Sequence, residues 1–138
     1  MAWTLSDSAN LSTVVTGVVA ILALGGAVYQ VTEARSSQRE ATASALYGNY
    51  LELAVEHPKL ASGCVAIPSG KGFDEEFERY EWFVSVMLHA FEQILELVGG
   101  DKVWVKALKD QVDYHKPYLA SDRFVRGHYA EALQKLFP

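Results

Sequence analysis

The chain has 138 residues, enough for one modest domain or for a small domain with an anchor. Half of the residues are apolar, which argues against wholesale disorder. Twelve Lys and Arg against 17 Asp and Glu leave a net charge of −5, which speaks against a nucleic-acid partner. The one cysteine, Cys64, can close neither an intramolecular disulfide nor a multi-thiolate metal site.

Residues 11–31, LSTVVTGVVAILALGGAVYQV, form an uncharged run of 21 residues. As a helix this run rises about 31 Å, near the thickness of a bilayer's hydrocarbon core, and the sequence predicts a single transmembrane helix here. Trp3 and Tyr29 stand near its ends, where interfacial aromatics belong. A cleaved signal peptide is not expected, because Asp7 and no Lys or Arg precedes Leu11 and the chain opens on Met1. Arg35 and Arg39 follow the run, so the positive-inside rule predicts an inner (plasma) membrane protein with its amino terminus outside and its carboxyl-terminal domain in the cytoplasm. Within the run, Ser12, Thr16, Ala20, Ala23 and Ala27 recur at spacings of three and four. They make a strip of small side chains predicted to contact another transmembrane helix.

The remainder reads as helical. Ala43, Leu46, Tyr47, Tyr50, Leu53 and Ala54 have helical spacing, and His57-Pro58 ends that segment because the residue before a proline is pushed out of the helical region. Residues 62–73, SGCVAIPSGKGF, form a loop. Its Gly70-Lys71-Gly72 triplet fails as a phosphate loop, since Val65 stands where a glycine is required and Gly72 where Ser or Thr is required. Asp74, Glu75 and Glu76 suit the start of the next helix. Phe77, Tyr80, Val84, Met87, Phe91, Ile94 and Val98 then form one unbroken apolar stripe, widened by Phe83, Leu88 and Leu95 and closed by Gly99-Gly100. Asp101 can cap a further helix carrying Val103, Trp104, Val105, Leu108 and Val112, interrupted by Pro117. Ser121-Asp122 can start another, with Phe124, Val125, Tyr129, Leu133 and Leu136 inward. No strand alternation and no repeat is present. The predicted fold is all-α: residues 1–32 as the amino-terminal segment and membrane helix, and residues 33–138 as a cytoplasmic bundle of three to four helices.

The chemistry is sparse. His89-Ala-Phe-Glu92 and His128-Tyr-Ala-Glu131 each place two candidate metal ligands on one helix face, but in the reverse of the Glu-x-x-His order that carboxylate-bridged di-metal bundles use. His57 and His115 complete the histidines, and a hydrogen-bonded or exposed histidine is the ordinary outcome for all four. Glu92 lies deep in the long helix, where a salt bridge to a later Lys or Arg is expected. Cys64 is expected to be a small apolar residue in the loop. No metal, no cofactor and no catalytic residue is expected.

Several further positions resemble a known group of proteins. Gln38-Arg39-Glu40-Ala41-Thr42-Ala43, Leu46-Tyr47, Tyr50-Leu51, Leu53-Ala54 and Glu56-His57-Pro58 belong to the pattern. So do Tyr80-Glu81-Trp82-Phe83-Val84-Ser85, Met87-Leu88, Glu92, Ile94-Leu95, Trp104, Gln111, His115, Tyr118-Leu119, Ser121 and Phe124. Over residues 34–138 the chain resembles a family of uncharacterised bacterial single-pass membrane proteins with a short helical cytoplasmic domain. The resemblance implies that topology and no activity.

Functionally, the sequence suggests a non-enzymatic, membrane-anchored helical interaction module. Such a module would be an accessory or scaffold subunit in contact with membrane lipid and with other membrane protein subunits or a second copy of itself. Trp82, Trp104 and several tyrosines suit such interfaces. The alternatives are a small membrane-bound enzyme or sensor with a His/carboxylate site between helices, and a pore-forming effector.

Overall fold

The computed structural model describes residues 23–70 and 72–138, together with the helical backbone of residues 5–22. Among the described residues six α-helices follow one another: α1 Leu5–Glu56, α2 Pro58–Ala61, α3 Glu75–Val98, α4 Lys102–Asp113, α5 Lys116–Leu119 and α6 Glu131–Gln134. A 3₁₀ turn, Arg126–His128, precedes α6, and no strand occurs among the described residues. The all-α expectation therefore stands. In place of three to four helices there are three long ones and three single turns.

The chain divides into two compact units, residues 1–38 and residues 39–138. In the first, every described side chain is exposed, including Leu24, Val28, Tyr29 and Val31.

The membrane-crossing helix expected over residues 11–31 is corrected here, and with it the inner-membrane placement and its outside amino terminus. No helix among the described residues is long and apolar enough to cross a membrane. Beyond residue 31, Glu33, Arg35, Arg39 and Glu40 load α1 with charge. A span needs about 30 Å of apolar helix.

The second unit has one core, built by chemistry legible in its caps. Pro58 ends α1 at Glu56. The Asp74 carboxylate accepts the Phe77 N–H at 2.9 Å to open α3, with Glu75, Glu76 and Glu78 in its first turn. Asp101 accepts the Val103 N–H at 2.7 Å to open α4. The α3 stripe is the centre: Phe77, Tyr80, Phe83, Val84, Met87, Leu88, Phe91, Ile94 and Leu95 are all buried. Ala43 and Tyr50 from α1, Leu108 and Val112 from α4, and Tyr118 and Leu119 from α5 close over it, with Leu133, Leu136 and Phe137.

Two elements depart from the sequence expectation. Pro117 sits in the first turn of α5, where its missing N–H costs no hydrogen bond, and the helix break falls earlier, at Tyr114-His115. The helix expected from Ser121-Asp122 does not form. Phe124 stacks on Tyr129 at 5.6 Å between centroids, and Phe137 meets both rings edge-on at 5.2 and 5.9 Å. Residues five apart on a continuous helix point about 140° away from each other, so this ring cluster requires turns instead.

Candidate functional site

Where the end of α1, α2 and the first half of α3 meet, the surface opens into a groove. An apolar pocket of about 250 Å³ has Leu53, Leu60 and Phe83 as its apolar lining, with Trp82, Val86, Arg79 and His57 completing it. Through His57, Leu60 and Arg79 it continues into a cleft of about 500 Å³ that carries Glu56, Lys59, Glu75 and Glu76. The rim is uncovered: Trp82 is 70% and Val86 52% exposed. Both lie one helical turn apart on α3, off its buried stripe, so the pair is a second apolar line on the same helix. Sequence reading took Trp82 as an interface residue in general terms. The line Arg79, Trp82, Val86 was the signal for a groove, and the dominant inner stripe masked it. In the cleft, Lys59 is ion-paired with Glu76, whereas Arg79 has no ion pair among the described residues.

Beneath the surface lies a polar layer within an aromatic core. His115 is fully buried. Its Nδ1 and the Tyr80 hydroxyl share a hydrogen bond of 2.9 Å, and its Nε2 has no partner among the described residues. Burial pulls the imidazole pKa down to about 4, so the ring is neutral at pH 7. Burial, with the neighbouring Cys64 thiol as the smaller cause, pushes the Tyr80 phenol up to about 12. Tyr118, raised by burial and then by Glu81, donates to the Glu81 carboxylate at 3.3 Å. Arg123 stands 3.8 Å from that carboxylate, lies over the Phe77 ring, and donates to the Gly70 carbonyl at 3.1 Å. Gly63, at φ +67°, brings the loop against the α4–α5 turn so closely that a Cβ would lie 2.1 Å from the Tyr114 carbonyl oxygen. These contacts are structural: the Tyr80–His115 pair is sealed from solvent, and Glu81 is engaged by Tyr118 and Arg123.

The remaining candidate residues do not converge. His89 is an exposed side chain 4.0 Å from Glu92, and His128 is exposed in the 3₁₀ turn. Glu92 accepts the Ala130 backbone N–H in place of the expected salt bridge to Lys or Arg. No group of three or more His, Cys, Asp or Glu side chains that could hold a metal ion occurs among the described residues. Cys64 is exposed in the loop rather than packed as a small apolar residue. Of the small-residue strip, Ala23 and Ala27 are exposed, while Ser12, Thr16 and Ala20 lie outside the described residues.

No protein-family model matches the chain, and no curated protein and no solved structure is significantly similar to it, so nothing there bears on the bacterial family that residues 34–138 resemble.

Proposed function

We propose that the chain is a non-enzymatic helical interaction module, an accessory or scaffold subunit whose groove between α1, α2 and α3 takes a segment of another protein. One observation carries this reading: the exposed pair Trp82 and Val86 over an apolar pocket that no other part of residues 39–138 fills. An exposed indole at the lip of a pocket is the residue type that dominates binding energy at protein interfaces, because it buries a large area with little loss of side-chain freedom. Trp82 contributes nothing to the core, so its removal separates binding from folding.

The test is chemical cross-linking of the full tagged chain in its source cells, wild type against Trp82→Ser/Val86→Ser. Equal helicity and equal melting, with loss of a discrete cross-linked species, is the expected result. The same species at the same yield in both would exclude the groove as the binding surface. Sedimentation of the purified chain tells whether the lost species is a second copy of itself.

A further inference from the structure

We infer that the occupant of the groove is a basic amphipathic segment, with an apolar anchor followed within a turn or two by Lys or Arg; this inference rests on the interaction reading above. The apolar pocket sets the first half of that description. It is lined by Leu53, Leu60 and Phe83 and flanked by Trp82 and Val86, and it has room for an aliphatic or aromatic side chain. The charge around it sets the second half. Carboxylates stand on both walls of the adjoining cleft, Glu56 from α1 and Glu75 and Glu76 from α3. Lys59 is already engaged by Glu76, which leaves Glu56 and Glu75 against the single charge of Arg79.

The surroundings point the same way. Asp74 lies immediately ahead of the cleft on the α3 side, and the chain as a whole has a net charge of −5. An acidic segment would meet these carboxylates at close range, and like charges brought together at an interface are strongly disfavoured. A cationic segment meets complementary charge, and it gains one contact more. The face of an indole attracts a Lys or Arg head group, and Trp82 is largely exposed in the pocket that adjoins the acidic cleft. Arg79 is then the lining cation without an ion pair among the described residues, and this makes its role a sharp discriminator.

The experiment uses the full chain and three labelled helical peptides with one shared leucine pattern, whose polar positions are all Lys, all Glu or all Gln. Fluorescence anisotropy reads the affinities at low and high salt. The Lys peptide is expected to bind at least about tenfold more tightly than the Glu peptide at low salt, with the gap closing as salt rises. Trp82→Ala should abolish most of that binding, Glu56→Lys/Glu75→Lys should invert the order of the peptides, and Arg79→Gln should tighten the Lys peptide about two- to threefold. All four positions are at the surface, and unchanged helicity of each variant is the control.

A tighter Glu peptide, or a weaker Lys peptide on Arg79→Gln, would overturn the cationic assignment while leaving the groove a docking site. Equal binding of all three peptides, lost in Trp82→Ala, would show apolar docking without charge selection and would also overturn it. Binding of none, or binding indifferent to Trp82, would overturn both this inference and the reading on which it rests.

Discussion

Residues 23–38 and residues 39–138 treat similar side chains in opposite ways. Leu24, Val28 and Val31 in the first region stand one and two helical turns apart, and all three are exposed. Ala43 and Tyr50 in the second are two turns apart on the same long helix, and both are buried. Helical spacing licenses burial, but it does not produce it. What distinguishes the second region is that other elements carry matching apolar faces: the α3 stripe, Leu108 and Val112 on α4, and Leu133 on α6.

The largest expected effect breaks the packed region. Val84 is 1% exposed in the α3 stripe, and Val84→Asp places a carboxylate among Val, Leu and aromatic side chains. A cost of at least about 4 kcal/mol, against a total stability of about 5–15 kcal/mol, should abolish cooperative melting followed by circular dichroism. A wild-type melting curve would refute the core described for residues 39–138.

Acid should weaken the same region through His115. Its folded pKa of about 4 lies below the ordinary 6.5, so the neutral ring stabilises the fold fully above pH 6.5. As pH falls from 6.5 towards 4 the unfolded state takes up the proton first, and about 3 kcal/mol is lost in that window. Denaturant midpoints at pH 7.5 and pH 5 measure the larger part of this loss while most carboxylates remain ionised. The slope should vanish in His115→Gln; if it persists, another group titrates.

A smaller loss is expected at the loop. Gly63→Ala combines a left-handed backbone with a Cβ driven into the Tyr114 carbonyl, and the two together should cost about 2 kcal/mol or more, read as a lower denaturant midpoint. Unchanged stability would mean that the loop does not press on the α4–α5 turn. The smallest effect belongs to the other region. Val28→Asp should change the stability of residues 39–138 by less than about 0.5 kcal/mol, because Val28 is exposed and belongs to the first unit. A marked fall in the melting transition would show that its exposed stripe is covered in solution.

Legibility in the sequence followed the range of the interaction. Every position from Phe77 to Ile94 in the expected α3 stripe is buried, because periodicity within one helix carries that information. The stops at Pro58 and Gly99 and the caps at Asp74 and Asp101 were legible for the same local reason. The turns of residues 120–130 were not, since Phe124, Tyr129 and Phe137 meet only through the tertiary fold. Nor was the burial of His115, whose Tyr80 partner lies 35 residues earlier. The apolar run of residues 11–31 reads as a span from its length and lack of charge, yet no helix among the described residues is long and apolar enough to cross a membrane. The groove was half legible: Trp82 was noticed, but Leu53 and Leu60 join it only once α2 folds back towards α3.

The burial of Leu133, Leu136 and Phe137 has a consequence for the order of events during synthesis. These residues complete the apolar surround of α3, which lies some forty positions earlier in the chain. While the ribosome is still adding residues 99–132, the α3 stripe has been made but lacks part of its cover. Its aromatic face then stays incompletely covered until residues 133–137 leave the exit tunnel, and this unit folds as a whole rather than progressively. A nascent chain stalled before residue 133 should therefore be cleaved readily by protease within α3, and one extended well past residue 137 should resist.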